Sequence, residues 1–138
     1  MSYNKDYIIK LRNSGLRPTN QRIKICEILF NTDKTFHFTI NDLVKMIKDS
    51  SNQKVSLATV YNTIHAFQKK GYLKEIAINS NQTYFDTNTT DHHHFFDEKQ
   101  NELIDLENED VYPIKIKKNI PGKTIKSVEV LVKLTSDN

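Results

Sequence analysis

The hydrophobic period of this chain changes once, at Gly71, and that change decides what it can fold into. Before Gly71, apolar residues recur every three to four positions, the spacing of helices with one buried stripe. After it they alternate or gather in short β-branched groups, the spacing of strands. The first stretch divides into four helices. "KDYIIKLRNSG" sets Tyr7, Ile8 and Leu11 on one face and stops at Gly15. Thr19 is placed to cap a second helix with Ile23, Cys26 and Phe30 at helical spacing. Thr39, with Asp42 three residues on, opens a third whose apolar face is Leu43, Met46 and Ile47. Ser56 caps the fourth, Gly71 ends it, and Val60, Ile64 and Phe67 share its core side.

Beyond Gly71, "LKEIAINSNQTYFDT" reads as two strands around the polar turn "NSN". Helices followed by such a hairpin make a winged helix-turn-helix, here with an extra N-terminal helix. "HHHFFDE", the turn "KQN" and "ELIDLE" follow as a second strand pair. "VYPIKIKK" fits a strand or a helix opened by Pro113, and "NIPGK" is a turn. "SVEVLVKL" is the clearest strand, with Val128, Val130 and Val132 on one face and Leu131 on the other. The expected fold class is α+β: an N-terminal winged helix-turn-helix over residues 1–86, a polar hinge over 87–91, and a small α/β dimerisation domain over 92–138.

The single cysteine, Cys26, excludes an internal disulfide and any structural zinc site built from four cysteines, and reads as a small buried apolar residue. No apolar run approaches the ~20 residues of a membrane span, and the first residues do not form a secretion signal, so a cytoplasmic protein without membrane contact is expected. The net charge of +3 is unevenly placed. Residues 1–86 carry 13 Lys/Arg against 7 Asp/Glu, and residues 87–138 carry 7 Lys against 10 Asp/Glu. A basic first part suits a polyanion. Three glycines, no Gly-rich phosphate loop and no activated nucleophile pair argue against an enzyme.

The fourth helix carries the best case for double-stranded DNA. Opposite its core side lie Ala58, Asn62, His65 and Lys69, with Tyr61 on the flank. A B-DNA major groove admits one helix, and an amide there can pair with adenine in bidentate fashion, as Asn62 would. Tyr61 and Ala58 can pack on thymine methyls, with Thr59 beside them, while Lys69, Arg17 and Arg22 can reach phosphates.

"DHHHFFDEKQ" holds three of the five histidines. Strand alternation puts His92 and His94 on one side and His93 on the other, so the same-side pair can enter one coordination sphere. A neutral imidazole is also an ordinary axial ligand to heme iron, which makes His92, His93 and His94 heme candidates as well.

"SGLRPTNQR" followed by "VSLATVYNTIHAFQKKGYL" resembles the DNA-binding half of the ferric uptake regulator family. "FDTNTTDHHHFFDEKQNELIDLE" is similar to that family's hinge and first dimerisation strands. Asn62, where most relatives place arginine, and the triple histidine without a CxxC look most like the family's iron response regulator (Irr) group. The resemblance implies a homodimer on an A/T-rich inverted repeat, with Arg17 in the minor groove and Tyr61 on thymine methyls. It implies a divalent Mn, Fe or Zn site of His37, Asp86, His92, His94 and Asp105, with aspartate at the last positions of each part where glutamate is more usual. The Irr likeness further implies heme sensing by the histidine cluster; a Mn- or Zn-responsive repressor without heme is the alternative. Three departures bear on these expectations. The family's CxxC positions are Asp97 and Gln100 here, Cys26 is followed by Glu27 rather than proline, and the second metal site, Asp91 and His93, lacks its late histidine.

Overall fold

The computed structural model describes residues 2–51 and 54–137. The chain divides into two compact units, Met1–Thr89 and Thr90–Asn138.

The first unit holds four α-helices, α1 (Ser2–Asn13), α2 (Asn20–Phe30), α3 (Ile40–Ser50) and α4 (Leu57–Lys70). It also holds three strands, β1 (His37–Phe38), β2 (Lys74–Asn79) and β3 (Gln82–Asp86). The caps are the ones the sequence calls for. Thr19 accepts from the Arg22 N–H, Ser56 from the Thr59 N–H, and Thr39 and Asp42 close a complete capping box. Gly71 ends α4 at φ 96°, a conformation in which a Cβ is strained, and the Tyr72 N–H closes back on the Phe67 carbonyl at 2.9 Å.

The core of this unit is built from Leu11, Ile25, Leu29, Leu43, Ile64 and Phe67, all essentially inaccessible, with Phe38 and Phe85 supplied by the sheet. Full burial of a side chain of this size contributes about 1.5–3 kcal/mol, which makes these contacts the main source of stability. In α2 the buried stripe is Ile25, Cys26 and Leu29, while Ile23 and Phe30 pack only partly against it. The stripe is therefore turned relative to the expected Ile23–Cys26–Phe30 face, because α2 meets both α1 and α4. In α3, likewise, Ile40 joins Leu43 and Ile47 inside and Met46 is only half-buried.

The expected hairpin is β2–β3, antiparallel, with an irregularity between Ala77 and Asn79. The two-residue β1 pairs with the other edge of β3, giving the order β1-β3-β2. His37 falls opposite Asp86 and Phe38 opposite Phe85. Phe36 and Thr87 extend that pairing through the Thr87 N–H to the Phe36 carbonyl and the Phe36 N–H to Thr87 Oγ1, each 3.0 Å.

The second unit is a three-stranded sheet with β4 (His93–Asp97) in the middle. β5 (Glu102–Leu106) pairs antiparallel on one side and β6 (Leu131–Leu134) parallel on the other. "ELIDLE" and "SVEVLVKL" thus share one sheet, with β4 between them. A parallel pair requires a crossover. Here it runs through a 3-10 turn at Asn108–Asp110 and then through residues 111–130 without regular structure. "VYPIKIKK" is accordingly neither strand nor helix. "NIPGK" is a turn, closed by the Lys123 N–H on the Ile120 carbonyl with Gly122 at φ 78°. Only the last four residues of "SVEVLVKL" join the ladder, Leu131–Leu134 pairing with His94–Asp97 of β4. Val128, Val130, Leu131 and Val132 are all half-buried, so no single buried strand face develops within one chain.

Candidate metal centre and nucleic-acid interface

The histidine triplet enters β4, whose register is set by β5. His94 lies directly opposite Asp105, and His93 opposite Leu106. Because neighbours directly across a ladder share a face, His94 and Asp105 point the same way, and alternation adds His92 to them. The His92 and His94 rings approach to 4.4 Å between centroids. His94 Nε2 lies 3.3 Å from Asp105 Oδ1, and His92 Nε2 lies 3.6 Å from the same oxygen. One donor atom from each of the three residues falls within 4.8 Å of the others. Both imidazoles are buried, while Asp105 is 48% exposed.

These atoms fit a divalent ion. Ligand bonds of about 2.0–2.1 Å at octahedral or tetrahedral angles put neighbouring donors roughly 2.9–3.4 Å apart, close to the separations here. The tautomer also fits. His92 Nδ1 is 2.8 Å from the Thr90 carbonyl, which can only accept. Nδ1 therefore carries the proton and Nε2 presents its lone pair toward Asp105; a carbonyl holding the far nitrogen in this way orients metal-binding histidines. A set of two imidazoles and a carboxylate suits Mn²⁺, Fe²⁺ or Zn²⁺.

His93 belongs elsewhere. The Val130 N–H donates to its Nδ1 at 2.9 Å, tying the approach to β6 onto β4. That lone pair is spent on backbone, and Asp91, the other residue of the second site the resemblance implies, is an exposed residue whose carbonyl accepts from Asn108 Nδ2 at 3.0 Å.

In the first unit, His37 and Asp86 occupy paired positions of β1 and β3. Asp86 is buried, with one oxygen accepting from the Asn88 N–H at 2.8 Å. The His37 ring meets Tyr84 edge-on at 5.8 Å. The strand that positions His37 is missed by sequence reasoning, since two residues are too short to show a period.

α4 separates its two sides as its periodicity requires. Val60, Ile64 and Phe67 are buried, as is Thr63, whose hydroxyl donates to the Thr59 carbonyl at 2.7 Å. Ala58, Tyr61, Asn62, His65 and Lys69 are exposed. Thr59 is only half-exposed and engaged at the cap, its Oγ1 2.9 Å from Ser56 Oγ. Arg17 is exposed; Arg22 is half-buried and donates to the Arg17 carbonyl at 2.8 Å, which braces the Arg17 segment. Thr19, Asn20, Gln21, Arg22 and Thr59 line a polar recess of about 420 Å³ beside the N-terminus of α2. The Tyr61 ring stacks on His65, a contact absent from the sequence reading but implicit in their i,i+4 spacing. No helix among the described residues is long and apolar enough to cross a membrane.

The backbone is similar to that of solved ferric uptake regulators. The Vibrio cholerae protein gives a TM-score of 0.70 at 19% identity over 94% of this chain and 98% of that one. The manganese-containing Pseudomonas aeruginosa protein gives 0.67 at 19% identity over the whole of both chains. The fold is thus the α+β fold of those proteins. The sequence model of the ferric uptake regulator family matches residues 13–134, and the chain belongs to that family of metal-responsive transcription regulators. Over 102 residues the chain is 33% identical to the peroxide operon regulator of Bacillus subtilis, covering 74% of this chain and 68% of that protein. It is 30% identical to the peroxide-responsive repressor PerR of Staphylococcus epidermidis over 74% of this chain and 66% of that one. Both relatives carry peroxide in their names, and neither bears out the iron response regulator likeness expected from the triple histidine and Asn62.

Proposed function

We propose that this chain is a homodimeric winged-helix repressor that binds an A/T-rich inverted repeat in the cytoplasm when a divalent ion occupies the His92–His94–Asp105 cluster, and that peroxide is its signal. The observation that carries the metal reading is the convergence of the His92 and His94 nitrogens on one Asp105 oxygen, with His92 Nε2 already in the ligating tautomer. The resemblance adds His37 and Asp86 as further ligands. A ligand set drawn from residues 1–86 and 92–138 would make the separation of the two recognition helices depend on the ion. Residues 87–91 are the hinge of this reading. A bound ion supplies that constraint and, when it is ferrous iron, a reductant for hydrogen peroxide. Tyr61 and Ala58 meet thymine methyls, Asn62 meets adenine, Arg17 enters the minor groove, and Arg22, Thr59 and Lys69 serve the backbone and the helix start.

Heme sensing by His92, His93 and His94 is the second reading, favoured by the unbroken triplet in a chain with no cysteine pair. The geometry supports it less. All three rings are buried, and His93 Nδ1 is committed to Val130, whereas an axial ligand needs a macrocycle-wide space beside it.

Gel-shift titrations on an inverted repeat selected from an A/T-rich pool test both readings. Mn²⁺ and Fe²⁺ should each support binding, and hydrogen peroxide should release the DNA only from the Fe²⁺ form. Binding that ignores both metal and peroxide refutes the first reading. A Soret shift on adding heme, lost when all three histidines are replaced, establishes the second.

A further inference from the structure

The proposed thymine contact of Tyr61 requires a ring held in one orientation, yet Tyr61 stands on the exposed side of α4, where a side chain is ordinarily free to change rotamer. The structure holds it. His65, one turn further along α4, stacks on Tyr61 with centroids 5.5 Å apart and planes 27° from parallel. The His65 ring in turn meets Phe85 of β3 edge-on, at 5.9 Å and 85°. Phe85 is 2% exposed and packs on Phe38 of β1 at 6.1 Å, so it is fixed in the core. Three rings therefore run in line from the exposed face of the recognition helix to the interior of the first unit. His65 is itself an exposed residue, and it touches the core through its edge-on contact with Phe85.

We infer that His65 is a positioning residue for DNA reading: braced by Phe85, it holds the Tyr61 ring so that the ring is presented, preorganised, to a thymine methyl. The inference rests on the proposed thymine contact of Tyr61. Its energetic basis is that ordering a side chain before binding removes that cost from the association step.

The test uses Mn²⁺-loaded full-length protein, DNA chosen by the protein from an A/T-rich pool, and the same DNA with uracil in place of thymine. Uracil lacks only the C5 methyl, so the ratio of the two affinities reads the methyl contact alone. Each methyl under the ring should be worth about fourfold in the wild type. Tyr61→Ala should bring the ratio down to the share that Ala58 keeps. His65→Ala should bring it most of the way to that value, and His65→Phe, which keeps a ring at the same place, should retain the wild-type ratio. General damage to α4 lowers affinity for both DNAs and leaves the ratio unchanged. A wild-type ratio in His65→Ala overturns the inference while the Tyr61 contact stands. Loss of the ratio in both His65 variants also overturns it, because the imidazole N–H rather than the ring would then be responsible. A wild type indifferent to the methyl removes the Tyr61 contact itself, and the inference with it, before any His65 variant is considered.

Discussion

At the scale of single residues, environment separates groups of the same chemical type. Burial pushes the Cys26 thiol from its ordinary 9.0 up to about 12, against a smaller opposite pull from the Lys10 charge. The thiol therefore stays protonated in the fold when the unfolded chain has begun to ionise. The stabilisation is complete below pH 9 and is lost as pH rises from 9 toward 12. Wild-type protein should lose stability relative to Cys26→Val across that window in urea titrations, and folded protein at neutral pH should resist alkylation. Parallel stability curves would contradict the assignment. The three adjacent histidines also divide. His92→Ala and His94→Ala should each lower Mn²⁺ or Zn²⁺ affinity by at least about tenfold in calorimetric titrations, an effect on the scale of losing a ligand or its orienting partner. His93→Ala should leave the metal in place but cost about 1–3 kcal/mol of stability, because the Val130 N–H loses its acceptor. Equal metal losses for all three variants would refute the two-sided arrangement. Acid should weaken binding in the wild type, since a protonated imidazole cannot ligate.

At the scale of elements, α4 is stabilised at both ends by single residues. Ser56→Ala should cost about 1 kcal/mol by removing the acceptor for the Thr59 N–H. Gly71→Ala meets open space but must adopt φ 96°, and should cost about 1–2 kcal/mol. Gly71→Asn should cost less, since asparagine tolerates the left-handed region. Urea denaturation of the three variants checks the order, and an alanine at 71 no worse than asparagine would mean that the helix end relaxes. Helix caps of this kind are local chemistry and are legible from a few residues. The pairing of β1 with β3 is not, because a two-residue strand exists only where its partner's edge is available.

At the scale of the whole molecule, the second unit is too small and too open to be complete in one chain. Tyr112 is 93% exposed, and Ile114, Ile116, Ile120 and Ile125 are exposed along the connection between β5 and β6. A monomer rarely leaves so much apolar surface on one segment. If that segment is covered by a second copy, Ile116→Asp should dissociate the assembly at micromolar concentration without unfolding the first unit. Sedimentation with parallel circular dichroism measures both. A wild type that sediments as a folded monomer, or a variant that stays dimeric, would remove this segment from the interface.

Much of the fold and part of the candidate site follow from the sequence alone. The helix limits rest on Thr19, Thr39, Ser56, Gly15 and Gly71, whose effects act within a turn of chain, and the separation of His92 and His94 from His93 follows from strand alternation. The histidine side chosen, however, depended on register: Asp105 joins His92 and His94 only because β5 pairs it opposite His94. The rotation of the α2 stripe, the commitment of His93 to the Val130 N–H and the contact of His65 with Phe85 were likewise decided by tertiary structure. Each depends on which residues distant in sequence come to lie side by side, and neither periodicity nor spacing specifies that.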